Sequence, residues 1–164
     1  MEKQQGEFYI LFAHRINWWA FVTNIFEVVE KTDFSHCCVY YNGFIYEAEF
    51  PASRKIDYSK WKKPYEEKLC YHMPVSDKPS AVLFLESLTG KPYSITQLIL
   101  IGLRKLFPNR QFLKTISLNK LKSLDCTEFV ALFQIAFCGA KYDVSMDAVD
   151  LNEVKAMCEK IKIE

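Results

Sequence analysis

Two short segments far apart in the chain carry the residue types of a thiol nucleophile site. Phe34-Ser35-His36 leads into an apolar run, and Asp125-Cys126-Thr127-Glu128-Phe129 opens another. A cysteine attacks as its thiolate, and a free cysteine at neutral pH is mostly thiol. A helix N-terminus and a neighbouring imidazolium both stabilise the anion and lower its pKa. The imidazole then returns the proton to a leaving group. Cys126 followed by a helical pattern, with His36 at the start of a strand pattern, satisfies both requirements.

The hairpin that follows His36 adds carboxylates. Asn42-Gly43 separates runs 36–41 and 44–50, and this dipeptide suits a two-residue turn because both of its positions need positive φ. With a two-residue loop Tyr41 pairs with Phe44, Cys38 with Glu47 and His36 with Glu49. Side chains 36, 38 and 40 then share a face with 45, 47 and 49. A one-residue bulge would exchange Glu47 and Glu49 opposite the histidine. Zinc is disfavoured here, because His36, Cys37 and Cys38 cannot all point inward from one strand.

Other elements must hold these residues. Residues 7–13 read as a buried strand and 68–73 as another. Helical patterns cover 18–31 behind an Asn17 cap, then 78–89, 94–106 and 125–138, with Gly90 and Gly139 as stops. A short helix follows Asp150, and 109–123 has no clear pattern. Pro51 ends the second hairpin strand. The fold class is α+β in one domain spanning residues 1–164.

Composition narrows the function. The 21 basic and 20 acidic residues give a net charge of +1, which argues against nucleic acid. Half the residues are hydrophobic, which argues against disorder. The apolar run 95–103 stops at Arg104-Lys105, far short of the ~20 residues of a membrane span. Residues 1–13 do not read as a secretory signal, so the six cysteines are expected to be reduced thiols of a soluble, cytoplasmic protein. Cys138 and Cys158 read as core residues, His14 and His72 as structural or solvated, and Asp125 as a helix cap.

FSHCCVYYNGFIYEAEFP, GKPYS and LDCTEFVALF, in that order, resemble the circularly permuted papain-like amidohydrolases of the NlpC superfamily, in particular the YiiX/YaeF-like branch. The resemblance spans residues 7–140 and places the histidine strand before the cysteine helix. It implies a permuted papain-like fold: a small antiparallel sheet or partial barrel packed against the nucleophile-bearing helix. It also implies Cys126 as nucleophile, His36 as base and Glu47 as the orienting residue, with Glu49 as the rival. Tyr93 matches the tyrosine after Gly-x-Pro, and with Ser35 it is expected to line the cleft.

Three functions stay open. The first is a cysteine hydrolase cleaving a peptide-like amide, cell-wall peptide among the options, through a thioester. Without a wall-binding repeat or export signal, such a substrate would be met in the cytosol or after lysis, as with a phage enzyme. The second is a lipid acyltransferase or phospholipase like the lecithin:retinol acyltransferase group, which shares the permuted order. That group has a second histidine where Glu47 stands, and an Asn-Cys-Glu-His motif where this chain reads Asp125-Cys126-Thr127-Glu128. The third is a papain-like scaffold that binds without catalysis. None requires a cofactor or metal, and the sequence fixes no oligomeric state.

Overall fold

The computed structural model describes residues 3–16, 31–96, 99, 103, 123–144 and 146–161. Five strands form one antiparallel sheet: β1 (Phe8–Arg15), β2 (His36–Tyr41), β3 (Phe44–Glu47), β4 (Arg54–Asp57) and β5 (Tyr65–Met73). Their order across the sheet is β4-β3-β2-β1-β5. Four α-helices are described: α1 (Tyr58–Trp61), α2 (Lys78–Leu88), α3 (Cys126–Phe137) and α4 (Leu151–Ile161). A 3₁₀ turn, Met146–Ala148, precedes α4.

β1 is an interior strand, between β2 and β5, and is apolar on both faces, as a strand covered on both sides must be. Its alternation divides the core in two. Phe8, Ile10 and Phe12 join Cys37, Val39 and Tyr46 under α2, α3 and α4. Tyr9, Leu11 and Ala13 join Cys38 and Ile45 on the opposite face, closed by Trp61 and Tyr65. Cys37 and Cys38 therefore lie on different faces, as strand periodicity requires.

The hairpin register follows the turn. Asn42 and Gly43 both have positive φ, and Tyr41 pairs with Phe44, Tyr40 with Ile45 and Val39 with Tyr46. The second strand, expected over 44–50, ends at Glu47. The Phe50 N–H turns to the Glu49 side chain (3.2 Å) instead of a neighbouring strand, and Pro51 has no N–H to offer. The strand expected over 68–73 begins earlier, because Tyr65, Glu66 and Glu67 pair with Arg15, His14 and Ala13.

β4 and α1 had no sequence expectation. Arg54-Lys55-Ile56-Asp57 is too polar for a core strand, which suits the sheet edge it occupies. The helix expected over 18–31 and the loop 109–123 fall almost wholly outside the described residues. Of the helix expected over 94–106, residues 94–96, 99 and 103 are described; Ser94 is not helical, and 95, 96, 99 and 103 are.

α3 is the element that brings the two halves of the site together. Asp125 caps it, with Oδ1 accepting the Glu128 N–H at 2.8 Å, and Gly139 past its end takes positive φ. Phe129 and Phe133 are buried against the sheet, each stabilising the native state by ~1.5–3 kcal/mol. This packing sets the first turn of α3 beside the start of β2.

Candidate active site

His36 begins β2 and pairs with Ala13 of β1, so its backbone is fixed by the centre of the sheet. Its ring stacks on Tyr65 (centroids 5.1 Å, planes 21° apart), and Tyr65 stacks in turn on Trp61 at 4.9 Å. The imidazole can neither tip nor rotate freely within that column. Its Nε2 lies 2.7 Å from Glu47 Oε2. An ionised carboxylate only accepts, so Nε2–H is the donor and Nδ1 is left for Cys126.

Glu47 is fully buried and fully engaged. Oε2 also accepts the Trp61 Nε1–H at 2.7 Å. Oε1 accepts Arg54 Nε at 2.9 Å and sits 2.7 Å from Arg54 Nη2. Burial alone would raise the Glu47 pKa, but the hydrogen bonds and charges of His36 and Arg54 hold it below the usual carboxylate range.

Cys126 is the first residue of α3 and is 5% exposed. A hydrogen bond from the Cys37 thiol holds its pKa well below that of an ordinary cysteine. Burial opposes this, while the hydrogen bond and positive charge of His36 reinforce it. Burial also acts against charge on His36, yet its bonds to Cys126 and Glu47 raise its pKa from 6.5 to about 10. Both shifts favour a thiolate–imidazolium pair, the reactive form of a cysteine nucleophile.

The rival carboxylate has other partners. Glu49 Oε1 accepts Arg15 Nη1 at 2.9 Å, and its Oε2 accepts the Tyr65 hydroxyl. The regular register of β2 and β3, if continued, would set Glu49 across from His36, but the pairing stops at Val39–Tyr46 and the imidazole bonds to Glu47. Ligand atoms of His36, Glu47 and Glu49 lie within 4.8 Å of one another. The lone pairs of both carboxylates face Arg54, Trp61, Arg15 and Tyr65, so this cluster is a closed hydrogen-bond network in character rather than a cation cage.

The Gly-Lys-Pro-Tyr-Ser segment proves to be a tie between the acid and the nucleophile. Its Tyr93 N–H donates to Pro51 O (2.9 Å), and Ser94 N–H donates to Leu124 O (3.0 Å). Lys91 O accepts the Ser53 N–H at 2.8 Å. One face of the segment thus holds the chain leaving Glu47, and the other holds the residue before Asp125. Burial, then the negative charges of Cys126 and Asp125, raise the pKa of the half-buried Tyr93 phenol, which lies beside the thiolate. Ser35 is half-buried, and its N–H donates to Ala13 O at 3.0 Å. Its Oγ has no hydrogen-bond partner among the described residues.

Trp61, Arg54, Tyr65 and Cys37 were absent from the sequence reading of the site. Cys37 had a legible signal, because strand alternation puts it on the face opposite His36 and Cys38. Arg54 had none, since its segment becomes a strand only by pairing with β3. Trp61 reaches Glu47 from the unforeseen α1, and Tyr65 reaches His36 from the unforeseen first residue of β5. A cleft of about 600 Å³, bordered by His14, Asp33, Phe34, Glu66, Lys68 and Lys155, opens on the β1–β5 side. Cys126, His36 and Glu47 are not among its walls.

No family model matches the chain, and no curated protein matches it significantly. No described helix is long and apolar enough to cross a membrane.

Proposed function

We propose that this chain is a permuted papain-like cysteine hydrolase that cleaves an amide or related acyl bond through a thioester on Cys126. The observation that carries this reading is the single imidazole held between Glu47, at 2.7 Å, and the Cys126 thiolate. Cys126 Sγ attacks the carbonyl carbon, and the positive end of α3 favours the developing oxyanion. The Cys126 backbone N–H is the candidate donor there. His36 gives its Nδ1 proton to the leaving amine as the tetrahedral intermediate collapses. It then takes a proton from water, whose oxygen attacks the thioester and frees Cys126. Glu47 keeps the ring oriented and supports its charge throughout, and Trp61 and Arg54 position Glu47.

The direct test is intact-mass analysis during turnover of p-nitrophenyl acetate, a small activated acyl donor. An acetyl adduct on Cys126 that decays in water, absent in Cys126→Ala and slowed in His36→Ala, is the expected outcome. Acetylation elsewhere with Cys126 unmodified would overturn the reading.

One observation favours a lipid acyl donor for the same thioester. Ile95, Ile99 and Leu103 are each helical and exposed, and a spacing of four is that of one helix face. Flotation with phosphatidylcholine vesicles, together with fatty-acyl transfer to Cys126, distinguishes this substrate from a peptide-like one.

A further inference from the structure

The mechanism leaves one nucleophilic group unused beside the thiolate. Cys37 is the residue after the catalytic histidine, is fully buried, and points to the α3 face of the sheet. Its Sγ lies 3.3 Å from the Cys126 backbone oxygen, close enough to donate to it. The neighbouring Cys38 shares the backbone but faces the opposite core, with Tyr9, Leu11 and Ile45. Cys138 follows the end of α3, and Cys158 is buried within α4, where its Sγ accepts the Gln134 Nε2–H at 3.2 Å. Among the described cysteines, Cys37 is the one set against the nucleophile.

We infer that Cys37 is a resolving thiol: when a hydroperoxide oxidises Cys126, Cys37 captures it as a reversible Cys37–Cys126 disulfide that silences the site and protects it from irreversible oxidation. The inference rests on the reading of Cys126 as an activated thiolate. In the first step the Cys126 thiolate attacks one peroxide oxygen and the O–O bond breaks. Sulfur loses two electrons to become the sulfenic acid, and the departing hydroxide or alkoxide takes the His36 proton. In the second step Cys37 Sγ attacks the Cys126 sulfur, the S–O bond breaks, and hydroxide leaves with the Cys37 proton as water. Two equivalents of an external thiol reverse the bond by exchange.

The division of labour between the two sulfurs fits these steps. The thiolate is the one that a peroxide oxidises, because reactivity follows thiolate character. Burial, then the hydrogen bond to Cys126, keep the Cys37 thiol protonated and raise its pKa well above the ordinary value. Cys37 is therefore inert until the neighbouring sulfur becomes electrophilic. Cys38 is equally buried but is packed away in the other core, among Tyr9, Leu11 and Ile45.

The test exposes reduced wild type, Cys37→Ser and Cys38→Ala to hydrogen peroxide, followed by non-reducing peptide mass spectrometry. Cys126 alkylation by iodoacetamide is measured before oxidation and again after dithiothreitol. Wild type and Cys38→Ala are expected to yield one cross-link, Cys37 to Cys126, with full recovery of alkylation. Cys37→Ser is expected to yield a dimedone-reactive Cys126 that proceeds to the sulfinic acid and is not recovered. A wild-type Cys126 that alkylates fast before oxidation, yet reaches the sulfinic acid as quickly as in Cys37→Ser, overturns the resolving role and leaves the nucleophile standing. A Cys126 that alkylates no faster than an ordinary thiol overturns the nucleophile, and the resolving role with it. If Cys37→Ser does not fold, the wild-type cross-link decides alone, and its absence overturns the inference.

Discussion

At the scale of single residues, the site turns on which carboxylate serves His36. Glu47 holds Nε2 at 2.7 Å, while Glu49 is taken up by Arg15 and Tyr65. Glu47→Gln removes the charge that supports the imidazolium. Turnover is expected to fall on the order of a hundred-fold or more, and the acid limb of Cys126 alkylation to move to higher pH. Glu49→Gln is expected to leave that limb in place, and an equal shift in both variants would show that the two act together. The removal also leaves the buried His36 ring without its charged partner, while Arg54 is 40% exposed and regains water, so Glu47→Gln is expected to lower the urea midpoint. The sequence had already put His36 and both glutamates on one face through the Asn42-Gly43 turn. It could not choose between them, because the choice depends on donors from Trp61 and Arg54 that arrive from later elements.

In the proposed mechanism α3 is the element that acts on the charge of Cys126, through its cap as well as its dipole. Asp125 is buried, and that burial, followed by the charge of Cys126, raises its pKa from 3.8 to about 7. The repulsion is mutual, so the cap works against the thiolate it positions. Asp125→Asn keeps an oxygen for the Glu128 N–H and removes the charge, and it is expected to move the Cys126 alkylation midpoint to lower pH. Asp125→Ala loses the cap as well, with an expected cost of ~1 kcal/mol read as a lower melting temperature. An unchanged midpoint in Asp125→Asn would remove Asp125 from the electrostatics of the site. α3, its cap and its Gly139 stop were all legible in LDCTEFVALF and the residues after it, because capping and apolar periodicity act locally. β4 and α1 were not legible. Arg54–Asp57 is polar and becomes a strand only by pairing with β3, and Tyr58–Trp61 is a single turn without a periodic face.

For the whole molecule, the consequence is that the sheet and the helices on it hold a charged pair together, and this leaves a mark on stability. His36 has a folded pKa of about 10 against 6.5 for a free histidine. Its contribution is full below pH 6.5 and is lost as pH rises through about 10. Cys126 has a folded pKa well below 9.0, so its contribution is present above pH 9.0 and is lost as pH falls through that lower value. From the higher of 6.5 and the folded Cys126 pKa up to 9.0, folded and unfolded chains hold the same number of protons on the pair, one on His36 or one on Cys126. The difference in urea midpoint between wild type and a His36→Gln, Cys126→Ser double variant is expected to be flat across that window and to shrink above it. A difference that falls throughout the window would mean that only His36 is charged in the native state, and one that rises would mean that only Cys126 is. The α+β class and the order of strand, hairpin and cysteine helix were readable from pattern and turn chemistry. The closing of the Gly90–Ser94 segment between Pro51–Ser53 and Leu124 was not, since it consists of backbone hydrogen bonds that any sequence there could make.

The central claim is that Cys126 rests as a thiolate paired with His36. The pH profile of Cys126 alkylation by iodoacetamide, located by peptide mass spectrometry in wild type and His36→Ala, tests it most directly. The account predicts fast labelling that persists well below neutral pH in wild type and retreats toward the ordinary thiol range in His36→Ala. A wild-type profile centred where a free cysteine titrates, and unmoved by His36→Ala, would contradict it.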